Sequence, residues 1–479
     1  MLSVLISVAA LALTGLTLIG LGFLVSSIQE REARATRYAV LQLGAMLILL
    51  LAFLILLWAG FFDTTLGILL LIGGIAAGAV AGFLLLRTSG GNLRALEGTR
   101  GLIVGEVKRW DEREIVFARN RYLQPGTEEY QKFYSDHPEW EKSDARRRGK
   151  GGPLGAMGSI DHPHEAPNRA ALLASGLLTM QLATPDKMKL QPRGPSLDLG
   201  PEEATERVKG YARHVGADLV GIAELDPRWI YSHRGMALAM AGEEWGAEIQ
   251  VGHRYAIVFA QEMSRDMIGP APHTSSTVES MHRYADGAVI ANQVASYVAN
   301  LGYSATVNHL SRYDCLLVPL AVDAGMGEMG RLGYLMTKEF GPRQRLSAVT
   351  TDLPLVPDAP VDIGVEDFCR ICRKCAVCCP SRSIPEGDPE EVNGSLRWKL
   401  NETTCFDYWG KVGTDCNVCM RVCPWSHART FPHRLIVESV SRNRIARRLF
   451  TVMDDVFYGK KPKAKAPPKW AQFSVSQQW

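Results

Sequence analysis

Three stretches near the start of the chain carry no charged residue: Ser3 to Leu24, Ala39 to Phe61 and Leu66 to Leu86. Each is about 20 residues, the length a helix needs to cross a bilayer, so the pattern predicts three transmembrane helices. After residue 100 the apolar positions fall into shorter units. "DLVGIAEL" (Asp218 to Leu225) and "RYAIVFAQEM" (Arg254 to Met263) are brief apolar runs with β-branched residues and predict buried strands. "GPEEATERVKGYARHVG" predicts a helix with an acidic first turn. In "TVESMHRYADGAVIANQVASYVANLGY" (Thr277 to Tyr303) apolar residues recur at three and four, and Gly302 closes a long helix. "SATVNHL" and "YDCLLVPLAV" predict two further strands. The Gly- and Pro-rich segment from Ala145 to Pro201 reads as a long ordered loop, "ARRRGK" within it as a solvated one, and Lys460 to Trp479 as an extended basic tail. The body is therefore α/β or α+β, with a cysteine domain from about Val365.

Basic residues set the expected orientation. The link after the first span carries Arg31, Arg34 and Arg37, and Arg87, Arg94 and Arg100 follow the third; the second link carries none. Both basic flanks belong in the cytoplasm. The expected location is the inner membrane, with three passes, the N-terminus outside and everything after residue 87 cytoplasmic. The first span reads as a helix that stays, because it is too long for a signal peptide, no basic residue precedes it and two more spans follow. In the third span, Gly74, Gly78 and Gly82 make a flat face that would seat on a neighbouring helix or on a partner subunit.

The 479 residues allow more than one domain, and a net charge of +3 gives no reason to expect a nucleic-acid partner. Nine of the ten cysteines lie between Cys369 and Cys423, and that clustering in a large chain points to a metal site rather than a disulfide scaffold. Cys369-x2-Cys372-x2-Cys375-x3-Cys379-Pro380 matches the bacterial ferredoxin run for [4Fe–4S] clusters. In that run the fourth cysteine serves the other cluster. A second set follows: Cys405, then Cys416-x2-Cys419-x3-Cys423-Pro424. One cluster would take Cys369, Cys372, Cys375 and Cys423, and the other Cys379, Cys405, Cys416 and Cys419. Zinc is the alternative, but zinc ribbons seldom show this spacing. Cys378 is the spare thiol, and Cys315 reads as a small buried hydrophobe.

The body is too large for a mere electron carrier, and from about residue 105 to 470 it resembles the reductive dehalogenases. The resemblance rests on the paired cysteine runs ending in "VCPW", on "AGMGEMGRLGYLMTKEFGPRQRLSAVTTDLPL" (Ala324 to Leu355), on "LGYSA", and on "VFARNRYLQPGTEEY" and "FYSDHPEWEKSDARRR". It implies a base-off cobalamin in a nitroreductase-like core, a ferredoxin-like domain with two [4Fe–4S] clusters, and reductive loss of halide from an organohalide with Co(I) as reductant. The domains would be a three-helix anchor (1–90), a loop-rich part (91–205), the corrinoid-binding core (206–360), the cluster domain (361–430) and a C-terminal helix with the basic tail (431–479). An anchor fused to the chain, and facing the cytoplasm, departs from the exported pattern of most of that family.

The resemblance also implies site residues. Tyr284, with Ser280 one turn earlier on the long helix, is similar to the family's proton-donor tyrosine. Its cationic partner falls in "EFGPRQR", as Arg343 or alternatively Arg345. A cation beside a tyrosine favours phenolate and so makes the phenol a better acid. Tyr284 could equally be a helix-surface residue, and Arg343 part of a structural ion pair. Asn308 is a candidate to hold the tyrosine or substrate. Gly325, Gly327, Gly330 and Gly333, with Glu328 and Arg331 between them, are candidates to approach the flat macrocycle, or else form tight turns. Trp425 would line the pocket or pack the core. His309 and His427 have no assigned role. The expected partners are an organohalide, membrane lipid and an unidentified electron donor. Two other classes stay open: a corrinoid reductase like epoxyqueuosine reductase, and a membrane electron-transfer protein without catalysis. Halide release and corrinoid content separate the three.

Overall fold

The computed structural model describes residues 1–149, 168–236 and 243–472. The chain forms two compact units, each built from separate stretches of sequence. The first comprises residues 1–91, 367–372 and 427–462, and the second residues 92–366, 373–426 and 463–479.

In the first unit three helices are long and apolar enough to cross a membrane: α1 (Leu2–Gln29), α2 (Ala33–Trp58) and α3 (Thr65–Leu86). The turn between α2 and α3 is set by sequence. Gly60 adopts φ +67, and the Thr64 hydroxyl caps α3 by accepting from the Gly67 N–H at 3.0 Å. A Cβ on Gly67 would meet the Phe61 carbonyl oxygen at 2.1 Å, so only glycine lets the turn close. Gly74, Gly78 and Gly82 have nothing within 4 Å of where a Cβ would stand. Among the described residues no other helix is seated on their flat face. The C-terminal segment supplies two more helices, Phe431–Arg442 and Arg444–Phe457. Asn443 joins them. Its Oδ1 caps the second helix at Ile445 and Ala446, and its Nδ2 donates to the Leu84 and Arg87 carbonyls at the end of α3.

The second unit is mixed α/β. Strands β1 (Lys189–Leu190), β2 (Leu219–Glu224), β3 (Tyr255–Glu262), β4 (Ala305–Asn308) and β5 (Gln344–Thr351) form one antiparallel sheet in the order β1-β4-β5-β3-β2. β3 is buried on both faces, which is why its apolar run is continuous rather than alternating. Tyr255, Ile257 and Phe259 face the long helix Thr274–Asn300 through its Ile290, Ala291, Val294 and Val298. Ala256, Val258 and Ala260 face the other way, onto Leu317, Leu320 and Ala321.

Three sequence expectations change here. "YDCLLVPLAV" forms the helix Leu317–Asp323 rather than a strand, with Cys315 making only an isolated bridge to Ile230. Its apolar run has no period, and a buried helix and a buried strand then look alike. The expected loop after Ala145 contains the helix Asn168–Gln181, while residues 150–167 lie outside the described ones. "ARRRG" is not a solvated loop, because it ends the helix Pro138–Gly149. Arg147 is buried there between Asp144 (2.7 Å) and Asp407 (2.9 Å), and Asp407 lies on the helix that carries Cys405. Part of the basic tail lies on the body: Lys465 donates to the Gly269 carbonyl, and Ala471 is buried beside Leu172, Met267 and Val278.

Candidate functional site

The sheet face beneath the long helix changes character along its length. Where β3 and β5 are apolar they carry the core. Beyond Phe259 and Val349 the same face presents Gln261 on β3 and Ser347 and Arg345 on β5, with Gln261 paired to Arg345 in register. The helix above answers with its polar half: Thr274 to Ser280 are all buried, although most are polar. Gly287 sits over Ser347 and Gln261, where a Cβ would come within 2.6 Å of the Ser347 Oγ and 2.8 Å of the Gln261 Oε1.

Tyr284 and Arg345 meet here. The Arg345 guanidinium carbon lies 5.0 Å from the Tyr284 ring centroid, a cation–π distance. Its Nη2 donates to the Ser280 Oγ at 2.7 Å and reaches the Asn417 Oδ1 at 3.4 Å and the Asp415 Oδ2 at 3.5 Å. Burial opposes the charge on Arg345, but Tyr284, Asp415, Tyr334 and Tyr313 together outweigh it and raise its pKa. Burial also pushes the phenols of Tyr313 and Tyr334 well above their ordinary range, so both stay protonated. Arg343, the residue favoured from sequence, stands elsewhere. It is buried, donates to Glu262 at 2.8 Å and to the carbonyls of Met263 and Ser426, and burial lowers its pKa. Among the described contacts of Arg343 none is to Tyr284, whereas Arg345, the alternative from sequence, lies over the Tyr284 ring.

The thiol loop is fastened to this pair. The Thr277 Oγ1 donates to the Asp415 Oδ1 at 2.9 Å and accepts from the Asp415 N–H at 3.0 Å, and the Asn417 Nδ2 donates to the Ser280 Oγ at 3.1 Å. Between them stands Cys416. Cys416 and Asn417 adopt φ +66 and +55, left-handed values that L side chains take only when their surroundings impose them. Asp415 and Asn417 are functional neighbours that motif reading passed over. The available signal was that both flank a cluster cysteine.

Cys379, Cys405, Cys416 and Cys419 come together in the second unit. Burial pushes the thiols of Cys405 and Cys416 up to about 12, and that of Cys419 well above its ordinary value, and in all three neighbouring thiols add to the rise. At Cys379 burial is outweighed by hydrogen bonds from the Ser381 hydroxyl and from backbone N–H groups, so its pKa falls. Cys405, Cys416 and Cys419, crowded beside Cys379, become thiolates readily only with positive charge among them, which fits an iron–sulfur cluster. Of the other expected set, Cys369 and Cys372 belong to the first unit and Cys375 and Cys423 to the second.

The remaining candidates are held by the chain itself. The Glu328 carboxylate accepts from the N–H groups of Ile363, Val365 and Glu366. Arg331 donates to the Pro385 and Gly387 carbonyls and lies 4.8 Å from the Trp398 ring. The Asn308 Oδ1 accepts from the Asp314 N–H at 2.7 Å. A Cβ on Gly325 would strike the Ala359 carbonyl, on Gly327 the Met336 carbonyl, and on Gly330 the Met336 side chain. These three glycines serve tight packing. Gly333, at φ +79, has open room. Trp425 is buried against Gly341. His309 is buried, donates to the Leu182 carbonyl and is pushed by burial down to about 4, so it stays neutral. A cavity lined by Val322, Glu328, Met329, Glu366 and Trp398 includes none of Ser280, Tyr284 and Arg345. Among the described residues, the buried polar atoms without a hydrogen-bond partner include the Arg345 Nε, the Ser347 Oγ and both amide atoms of Gln261. That group lies on the sheet face under Tyr284. It is the place where these residues fit a bound group with its own donors and acceptors, such as the side-chain amides of a corrinoid.

The class these features define is a mixed α/β protein with a crowded thiol site built against a tyrosine–arginine pair. No family model matches the chain. It is 31% identical over 337 residues to a tetrachloroethene reductive dehalogenase of Sulfurospirillum multivorans, a match covering 63% of this chain and 66% of that one. Among solved structures, the catabolic reductive dehalogenase NpRdhA superposes with a TM-score of 0.60 at 27% identity, covering 75% of this chain and 48% of the other. A second reductive dehalogenase, described in terms of B12-dependent dehalogenation, gives 0.56 at 26% identity, over 70% and 52%. The chain thus spans about half to two thirds of the length of these relatives. It belongs to the reductive dehalogenase family, which depends on corrinoid and iron–sulfur cofactors.

Proposed function

We propose that this chain is a membrane-anchored reductive dehalogenase that removes halide from an organohalide, with Tyr284 as proton donor and Arg345 as its cationic partner. The observation that carries the reading is the Arg345 guanidinium over the Tyr284 ring, tied through Ser280 and Asn417 to the loop of Cys416. Replacing halide by hydrogen takes two electrons and one proton and releases a halide ion. A base-off corrinoid, when bound, supplies the reducing equivalents at cobalt, and two [4Fe–4S] clusters on the eight cysteines of the paired runs replenish them. The protein supplies position and the proton. Arg345 stabilises negative charge on the phenolate that the transfer leaves behind. Tyr313 and Tyr334, half-buried and protonated, help keep water from the pair without competing for its charge. Glu328, Arg331 and the glycines around them shape the wall through the turns they hold. The core is nitroreductase-like and the thiol region ferredoxin-like in this reading, with the soluble part on the cytoplasmic side of the inner membrane.

The test is a substitution pair on protein reconstituted anaerobically with cobalamin and screened for halide release from brominated and chlorinated phenols and alkenes. Tyr284→Phe is expected to keep corrinoid and iron yet lose roughly a hundredfold or more in turnover, the scale of a lost general acid. Arg345→Lys, which keeps charge but loses the planar fork, retains part of the activity. Turnover by Tyr284→Phe near the parent rate would show that the proton comes from elsewhere.

A further inference from the structure

Within the first unit, Glu30, His427 and His433 come from three separate stretches of chain. Glu30 caps the C-terminal end of α1, His427 precedes the helix Phe431–Arg442, and His433 lies in its first turn. One ligand atom from each lies within 4.8 Å of the others. The Glu30 side chain is 1% exposed, that of His433 7% and that of His427 19%. We propose that these three residues bind a divalent transition-metal ion, with zinc the best match, where α1 meets the C-terminal helices.

The arrangement around the imidazoles carries the proposal. The His427 Nε2 lies 2.7 Å from the Asp454 Oδ1, and the His433 Nε2 lies 2.9 Å from the Tyr458 hydroxyl. Both partners belong to one element, the helix Arg444–Phe457 and its C-cap. Each ring is thus oriented through its Nε2, and at His433 the Nδ1, which also meets the Thr430 Oγ1, faces Glu30. Metal-bound histidines are oriented in this way, the second ring nitrogen bonded to a carboxylate or another fixed oxygen. The His433 Nδ1 stands 3.3 Å from the Glu30 Oε1. With bonds of about 2.0–2.1 Å, the edge of a tetrahedral zinc site is about 3.3 Å, so this pair already has ligand spacing. The two rings lie 5.1 Å apart, and one ligand atom of each residue already lies within 4.8 Å of the others. A set of two imidazoles and one carboxylate favours zinc or a similar ion over calcium and magnesium, which prefer all-oxygen sites. The hydroxyls of Ser26, Thr430 and Tyr458 surround the set. The Thr430 Oγ1 lies 2.8 Å from the His433 Nδ1, the Ser26 Oγ 3.3 Å from both the His433 Nδ1 and the Glu30 Oε1, and the Tyr458 hydroxyl 3.3 Å from the Glu30 Oε2. The competing arrangement is a plain hydrogen-bond network in which Thr430 donates to His433. None of this depends on the dehalogenase reading.

The experiment uses the full chain, purified in detergent with its iron–sulfur content intact, washed with a mild chelator and then loaded with zinc. Expected are about one zinc per chain and an X-ray absorption spectrum at the zinc edge showing two imidazoles and oxygen at about 2.0–2.1 Å, without sulfur at about 2.3 Å. His427→Gln combined with His433→Gln should lower bound zinc at least tenfold while iron content is unchanged. Asp454→Asn, which removes no ligand, should weaken zinc affinity roughly 10–100-fold, an effect expected only if Asp454 orients a metal-bound ring. Zinc that stays at parental level in the double variant overturns the proposal. So does sulfur-coordinated zinc, which would mark the cluster thiols, or a parent protein that holds no zinc after loading. If the double variant fails to fold, the parent spectrum decides alone.

Discussion

Arg343 and Arg345 stand two positions apart, and the molecule treats them in opposite ways. Arg343 lies just before β5, where it answers carbonyl groups and Glu262, and burial works against its charge. Arg345 lies within β5, on the face that meets Tyr284, whose partial negative charge helps hold its proton. Motif spacing led to the seven residues of "EFGPRQR" and favoured Arg343 over the alternative, Arg345, because spacing along a chain does not say where a strand begins. Adjacent cysteines pose the same problem with a sharper outcome. The Cys379 sulfur accepts hydrogen bonds from Ser381 and Ser383, as cluster thiolates do, while Cys378 packs against the apolar group of Val418 and Val422. Cys378→Ser is therefore expected to retain the roughly eight irons of two cubanes, and Cys379→Ser to lose up to about half of them. Equal iron loss in both variants would reverse the assignment.

The long helix Thr274–Asn300 shows what an element can hide. Its C-terminal half was legible, because Ile290, Val294 and Val298 recur at the helical period and face the sheet. Its start was placed three residues late, since Thr274, Ser275 and Ser276 read as a polar lead-in and are in fact buried. Periodicity registers apolar burial only, and the polar half of this helix is buried against polar partners. Leu317–Asp323 failed for the complementary reason: apolar on every side, it has no period to read. Cys379, Cys405, Cys416 and Cys419, which come together in the second unit, follow from a spacing that is local, whereas Gln261 and Ser347 join the site only through strand register. Gly287 tests this picture. In a solvated helix, Gly→Ala stabilises by about 1 kcal/mol. Here the added methyl would fall 2.6 Å from the Ser347 Oγ. Gly287→Ala should therefore lower the melting temperature instead of raising it, and should lower turnover by displacing the strand that carries Arg345. A higher melting temperature would mean that Ser347 and Gln261 yield without cost.

At the scale of the whole chain, orientation is the open quantity. Arg31, Arg34 and Arg37 lie at one end of α1 and α2, and Arg87 closes α3. Basic residues resist translocation, so the expected topology keeps both basic flanks in the cytoplasm and begins α1 outside. A reporter fused after Arg100 should give a cytoplasmic signal, and one fused before Met1 an external one. Periplasmic phosphatase activity from the Arg100 fusion would overturn that topology. Replacing Arg31, Arg34 and Arg37 together should mix the two orientations. Part of that effect would come from lost packing, because the Arg34 guanidinium also donates to the Val456 carbonyl at 2.8 Å and lies over Tyr38.

The first unit is assembled from the two ends of the chain, with residues 427–462 packed against helices encoded before residue 91. On the ribosome, α1 to α3 therefore emerge more than 300 residues before their last partners are translated. Until then the Leu84 and Arg87 carbonyls lack the Asn443 amide that later donates to them. Clipping residues 1–91 to obtain a soluble enzyme would leave Phe431–Phe457 without its companions, so a truncation that begins at the N-terminus has to reach the C-terminal helices as well. Nor can the first 91 residues be grafted onto another protein as a self-sufficient unit, since 36 residues of their unit, 427–462, are encoded far downstream.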